Sequence, residues 1–486
     1  MKKINEINVI KKDLPIKVLQ FGEGNFLRAF VDYMIDIANE KGVMDAGIVI
    51  AKPISFGSLD LFAKQENKYT VILRGKENGE VIDKERIITS ISKAIDCADD
   101  YEEYMDLAKL ESLRFIVSNT TEAGIVFDEN DNFEGLPTTY PGKLTKFLYE
   151  RYLTFGNDET KGLIILPVEL IEDNGKKLKE CVLKLIDCWN LTDEFKAWVE
   201  NDNIFCSTLV DRIVTGYPRA VADEICEKLG YEDKLLDVGE PFALWVIESD
   251  KDISDELPLD KIGLPVIFTD NQKPYRERKV RVLNGAHTAS VLAGYLCGID
   301  IVRDCMNDKI MGEFVRRVVM EEIVPMVNLP QEEVKDFAAS VFERFENPFI
   351  DHQLLSISLN SVSKWKARVL PSFKDYYNKN GKLPKLITFS FAALLAFYSS
   401  DVLKDGRLVS KRANGDEYEI CDDKTALEFF ANNSNKEDFI SLVASNESFW
   451  GEDLTKYEGF EQLVAFWYKQ LRENALLAVE KVLLGE

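Results

Sequence analysis

Along the first 270 residues, short apolar runs alternate with amphipathic stretches of helical period, the texture of a parallel sheet with crossover helices. Residues 16–21, apolar and bounded by Pro15 and Gly22, predict a buried first strand. Residues 47–53 predict a second, and residues 114–118 a strand running into a polar turn that ends at Gly124. Another buried strand is expected over 162–170, with helices over about 143–153 and from Asn174 toward Trp189. Residues 69–92 read as antiparallel strands inserted into this unit, and 242–248 and 265–268 are the last β-like runs. Beyond Pro274 the pattern changes to long helical periodicities over 312–327, 331–344 and 459–484. The apolar run 386–398 is interrupted by Thr388 and Ser390 and is shorter than the roughly 20 residues of a membrane-spanning helix, so it predicts a buried helix. The expected fold class is α/β: an N-terminal Rossmann-like dinucleotide-binding domain over 1–272, then a mainly α-helical C-terminal domain over 273–486.

Candidate chemistry follows from what stands at the ends of these elements. Gly22-Glu23-Gly24 directly after the first strand, with an amphipathic helix behind it, permits a tight turn and close approach of backbone N–H groups to a pyrophosphate. Gly22, Gly24, Asn25, Phe26 and Arg28 are the candidate cofactor loop, although Leu27 replaces the third glycine of the usual fingerprint and a plain turn is the alternative. At the end of the second strand stands Lys52, where an acid would bind the adenosine ribose; a lysine there can meet a 2′-phosphate or face water, which leaves NAD and NADP open. Ser118, Asn119, Thr120 and Glu122 follow a strand end and are candidate cofactor neighbours, or turn and cap residues. Asp211 beside Arg212 reads either as half of an ion pair or as a contact to a substrate hydroxyl.

The stretch 279–288 holds Lys279, Asn284 and His287. On a helix advancing roughly 100° per residue, His287 falls about 80° and Asn284 about 140° from Lys279, so one face can present all three. An amine, an amide and an imidazole together can exchange a proton with a substrate oxygen and hold an alkoxide, which is carbonyl or alcohol chemistry without a metal. Such a lysine needs a lowered pKa to act near neutrality. Residues 351–368, with His352, Lys364 and Arg368, are unusually polar for a segment with an apolar stripe and read as a solvated face or as a wall of cations for an anionic substrate.

Charge and cysteine usage narrow the class. The formal net charge of −24 opposes nucleic acid and anionic membrane surfaces, and an anionic substrate would need a local basic pocket. Eight cysteines without a C-x-x-C pair read as reduced thiols, and two histidines leave no usual zinc site. The N-terminus lacks the apolar core of a secretory signal, so a cytoplasmic setting is expected; oligomeric state stays open.

The wording of residues 21–29, 118–124 and 210–213, with K-x-x-x-x-N-x-x-H at Lys279, Asn284 and His287, resembles the polyol-specific long-chain dehydrogenases, the mannitol dehydrogenase family, over nearly the whole chain. The resemblance implies an NAD-dependent oxidoreductase with a small-molecule sugar or sugar-acid substrate. It implies Lys279 as the catalytic proton donor and acceptor, Asn284 as the amide on the alkoxide, His287 as an imidazole fixing the substrate, Asp211 as a hydroxyl contact and Lys364 as a basic residue of the substrate wall. The longer wording over 20–32, 118–125, 206–218 and 352–357 is similar to a branch interconverting D-tagaturonate and D-altronate; reduction of fructuronate or of fructose is the alternative, and a non-catalytic dinucleotide-responsive protein the reading from another class. Two positions depart from the polyol pattern: Leu170 for a second oxyanion asparagine and Ser356 for an arginine. The second departure implies a rebuilt far end of the pocket, where His352, Lys364 or Arg368 meets a carboxylate.

Overall fold

Six short parallel strands make the main sheet: β1 (Ile16–Phe21), β2 (Gly47–Lys52), β3 (Ile91–Asp96), β4 (Phe115–Ser118), β5 (Ile164–Pro167) and β6 (Ile204–Phe205). In space they run 3-2-1-4-5-6 with every neighbouring pair parallel, the doubly wound dinucleotide-binding order, whose switch point lies between β1 and β4. All six residues of β2 are buried, because crossover helices cover both faces of such a sheet. Alternation along the strand divides them between two cores. Ile48 and Ile50 join Phe30, Met34 and Trp245 on one face, and Val49 and Ala51 join Phe147, Leu178 and Trp198 on the other.

The computed structural model describes residues 1–9, 11–121 and 123–485. The chain divides into two compact units, one of residues 1–74 and 82–272, the other of 75–81 and 273–486. In the first unit the inserted strands Tyr69–Glu77 and Glu80–Ile88 join Asp237–Gly239 and Val214–Gly216 in a four-stranded sheet, and Ser207–Asp211, Leu244–Glu248 and Val266–Thr269 form a three-stranded one. The hairpin tip belongs to the second unit, where the amides of Asn78 and Gly79 donate to the Glu343 carboxylate at 3.1 and 2.6 Å.

The second unit is mainly helical. Its central helix, Lys385–Phe397, is buried from Leu386 onward and packs against the helices Gly285–Leu296 and Phe460–Glu473. Two features depart from the sequence expectation. Residues 402–420 form a three-stranded antiparallel sheet (Val402–Lys404, Arg407–Lys411, Glu417–Ile420), too short and polar to announce itself. The final helical stretch breaks at Asn474, whose backbone is extended and whose side chain caps Leu477 N, giving Phe460–Glu473 and Ala475–Leu484. Among the described residues no helix is long and apolar enough to cross a membrane.

Candidate active site

In the first unit the chain leaves β1 through Gly22, whose φ of +116° a side chain rarely adopts; a Cβ there would stand 3.2 Å from Leu27 Cδ1 and 3.4 Å from the Asn119 carbonyl. Leu27, in place of the third glycine, is buried and fills that contact. Nothing lies within 4 Å of where a Cβ on Gly24 would sit, and helix begins at Asn25. An open backbone at a helix N-terminus in the first β–α turn is a fitting cradle for a pyrophosphate. Phe26 stacks on Phe30 at 4.9 Å, anchoring the loop to the core.

Four cofactor candidates turn inward instead. Arg28 is buried: it donates to the Leu235 carbonyl at 2.7 Å and to Asn25 Oδ1, pairs with Asp237 at 3.9 Å and lies over the Tyr69 ring. It braces the loop from behind. Lys52 is 3% exposed, and its ammonium is held by Asp96 at 2.6 Å and the Ile54 carbonyl at 2.6 Å. It therefore neither faces water nor stands free for a 2′-phosphate, since breaking a buried ion pair costs about 3–5 kcal/mol. Ser118 Oγ donates to Glu169 Oε2 at 3.1 Å, and Thr120 donates to Glu169 Oε1 from both N and Oγ1 at 2.9 Å. Of that turn, partly exposed Asn119 remains the candidate contact, while Glu122 lies outside the described residues. Asp211 closes the strand Ser207–Asp211 in a buried position opposite Leu244. Arg212 donates to the carbonyls of Ala29, Pro241 and Phe242.

In the second unit the local helix is not α-helical where the wheel assumed it. Residues Lys279–Asn284 form a π turn that closes with Gly285 N donating to the Val280 carbonyl, five residues back, before the α-helix Gly285–Leu296 begins. A turn closed at i→i+5 draws residues five apart toward one line, so Lys279 and Asn284 share a face more closely than 140° allows. All three of Lys279, Asn284 and His287 are partly exposed.

His287 is held between rings. Phe345 stacks on it with centroids 4.0 Å apart, and the His352 ring meets it edge-on at 5.4 Å. Its Nδ1 is enclosed and, among the described residues, has no hydrogen-bond partner. Desolvation pushes this imidazole well below its ordinary pKa, and the charges of His352, Arg344, Arg368 and Lys364 push the same way. His287 is thus neutral at physiological pH and sits among basic groups within a chain of net charge −24. Lys364 reaches the Ile357 carbonyl at 2.9 Å, and its pKa is lowered by burial and by Arg368, with Asp422 opposing. Burial also lowers Arg368.

Gly285 allows this cluster to close up: a Cβ there would stand 3.1 Å from the Arg368 carbonyl. Arg344 and Phe345 were not singled out from the sequence, where they end the amphipathic helix Gln331–Phe345; an arginine on its buried stripe was the available signal. Glu169 was missed in the same way, as an acid just past a strand's carboxyl end.

The whole chain matches known proteins. Residues 16–261 match the Mannitol dehydrogenase Rossmann domain and residues 271–472 the Mannitol dehydrogenase C-terminal domain. The chain belongs to the mannitol dehydrogenase family. It is accordingly an oxidoreductase built as a Rossmann domain followed by a mainly helical domain. Among curated relatives, the altronate oxidoreductase of Pectobacterium atrosepticum is 42% identical over 98% of this chain and 99% of its own. That of Bacteroides thetaiotaomicron is 42% identical over 100% of both. Among solved structures, a D-sorbitol dehydrogenase in substrate-free form aligns with a TM-score of 0.79 at 20% identity, covering 97% of this chain and 96% of that one. The Pseudomonas fluorescens mannitol 2-dehydrogenase in a ternary complex with NAD and D-mannitol aligns with a TM-score of 0.65 at 23% identity, covering 98% and 96%.

Proposed function

We propose that this chain is an NAD-dependent oxidoreductase that interconverts D-tagaturonate and D-altronate. The observation that carries the sugar-acid reading is the basic surrounding of His287: His352, Arg344, Arg368 and Lys364 in an otherwise acidic chain. A neutral polyol gains little from such a cluster, whereas a carboxylate gains charge-assisted hydrogen bonds. Full-length relatives named altronate oxidoreductase support the same reading, and Lys52, already bound to Asp96, favours NAD over NADP. NAD, when bound, supplies the hydride donor or acceptor.

The residues of the chain do the rest. In the reductive direction the Lys279 ammonium gives a proton to the substrate carbonyl oxygen; in the oxidative direction its neutral amine takes one from the alcohol. Asn284 donates its amide N–H to the oxygen as charge develops there. His287, neutral, exchanges hydrogen bonds with a substrate hydroxyl, and Asp211 accepts one from another. Lys364, Arg368 and His352 hold the carboxylate.

Initial rates of NADH and NADPH oxidation against tagaturonate, fructuronate and fructose test the reading directly. We expect tagaturonate with NADH to have the highest kcat/KM. Preference for fructuronate or fructose would sink the substrate assignment, and preference for NADPH the cofactor.

A further inference from the structure

Glu169 is an ionisable side chain that the proposed chemistry leaves unused, and it is 2% exposed. Three donors converge on it, from Ser118 Oγ, Thr120 N and Thr120 Oγ1, all at 2.9 to 3.1 Å. A carboxylate offers only acceptors, so the ionised form matches this set. Desolvation raises its pKa, and the same three bonds together with its own backbone N–H oppose the rise. On its other side the turn is tied to β1: Asn119 N donates to the Phe21 carbonyl at 3.2 Å, and the Asn119 carbonyl lies against Gly22. The turn is therefore held from β1 and from beyond β5, directly at the switch point between β1 and β4.

Topology says which part of the dinucleotide arrives there. In this sheet order the pyrophosphate sits at the glycine loop after β1 and the adenosine ribose at the end of β2. The strands from β4 onward are left for the nicotinamide half. Because Ser118 and Thr120 spend their hydroxyl protons on Glu169, they shape the turn rather than serve as free donors.

We propose that Glu169 is a positioning residue that holds the Ser118–Thr120 turn in the shape that receives the nicotinamide half of the dinucleotide. The proposal rests on the NAD reading and is independent of which sugar acid reacts.

Two cofactor-side probes separate positioning from a general structural role. NADH carries both halves of the dinucleotide; ADP-ribose lacks the nicotinamide ring. Titration of Glu169→Ala with each is expected to raise the Kd for NADH about tenfold while changing that for ADP-ribose by less than about twofold, the loss of hydrogen bonds to a charged acceptor being felt at one end of the ligand. Glu169→Gln keeps an acceptor for Thr120 and an amide that Ser118 Oγ can accept, and should restore most of the NADH affinity. If Glu169→Ala does not fold, Thr120→Val, which removes one of the three bonds, should show the same selective loss at smaller size. Parallel loss of both probes, or no loss of NADH, overturns the proposal. Failure of the unaltered protein to bind NADH would instead overturn the NAD reading on which it rests.

Discussion

The His287 ring lies 4.0 Å from the Phe345 ring, centroid to centroid, with the two planes inclined at 29°. Protonation would place a cation in this enclosed slot beside Arg344, Arg368 and Lys364, which is why its folded pKa lies well below its ordinary value. Below about pH 6.5 the unfolded chain binds a proton that the folded chain refuses. This contribution to stability is thus fully present above about 6.5 and is lost as pH falls toward the folded pKa. Urea denaturation at pH 7.5 and 5.5 should show the unaltered protein losing about 1 kcal/mol more than His287→Asn over that interval. Equal losses would contradict the neutral, enclosed imidazole.

Lys279 and Asn284 should separate by kinetic step. Replacing Lys279 by Ala is expected to lower kcat with tagaturonate and NADH by about 10²- to 10⁴-fold. Asn284→Ala should lower kcat by roughly 10²-fold with a smaller change in KM, since its hydrogen bond strengthens only as charge develops. An Asn284→Ala effect confined to KM would rule out the alkoxide role.

Arg368 should read the carboxylate. With Arg368→Ala, KM for tagaturonate is expected to rise about 10- to 100-fold, the size of a charge-assisted bond, while the much poorer turnover of neutral fructose changes little. Parallel loss on both ketoses would mean that Arg368 acts on the fold rather than on the acid.

Gly285→Ala tests how tightly the catalytic turn is packed. The added Cβ would stand 3.1 Å from the Arg368 carbonyl and 3.6 Å from that of Val280, both backbone atoms that cannot swing aside. Crowding should outweigh the helix preference of alanine and cost about 1 kcal/mol, with a raised KM for the sugar acid as Arg368 is displaced. Thermal melts and steady-state kinetics check both parts; unchanged Tm and KM would mean the helices separate freely.

Asp32, wholly buried behind the glycine loop, accepts from Tyr69 Oη at 2.7 Å and Gln20 Nε2 at 3.4 Å, and burial pushes its pKa up to about 7. Between its unfolded value near 4 and about 7 the folded chain holds a proton that the unfolded chain has lost. Stability therefore falls as pH rises through that window. Asp32→Asn, which keeps an acceptor for Tyr69, should reduce the loss between pH 5 and pH 8 by about 2 kcal/mol. An unchanged pH slope of the urea midpoint would refute it.

Much of the fold was legible because its signals are local. An apolar run followed by Gly22-Glu23-Gly24 and an amphipathic helix has few foldings, and the apolar run at 47–52 appears in the structure as a fully buried strand whose residues alternate between two cores on opposite faces. The identities of Lys279, Asn284 and His287 and their spacing were equally plain in one dimension.

What one dimension could not hold is where each polar group spends its hydrogen bonds. Lys52, Arg28, Ser118 and Thr120 carry the right chemistry for a cofactor contact, yet Asp96, the Leu235 carbonyl and Glu169, far away in sequence, claim them. A helical wheel assumes one period, and the π turn at 279–284 departs from it.

The sequence by itself determined the order of the strands' chemistry, the helical character of the second unit and the three residues that can move a proton. Only the tertiary structure decided that His287 is neutral, with Phe345 stacked on it and the charge of Arg344 nearby, because burial and charge proximity arise between segments that the chain separates by tens of residues.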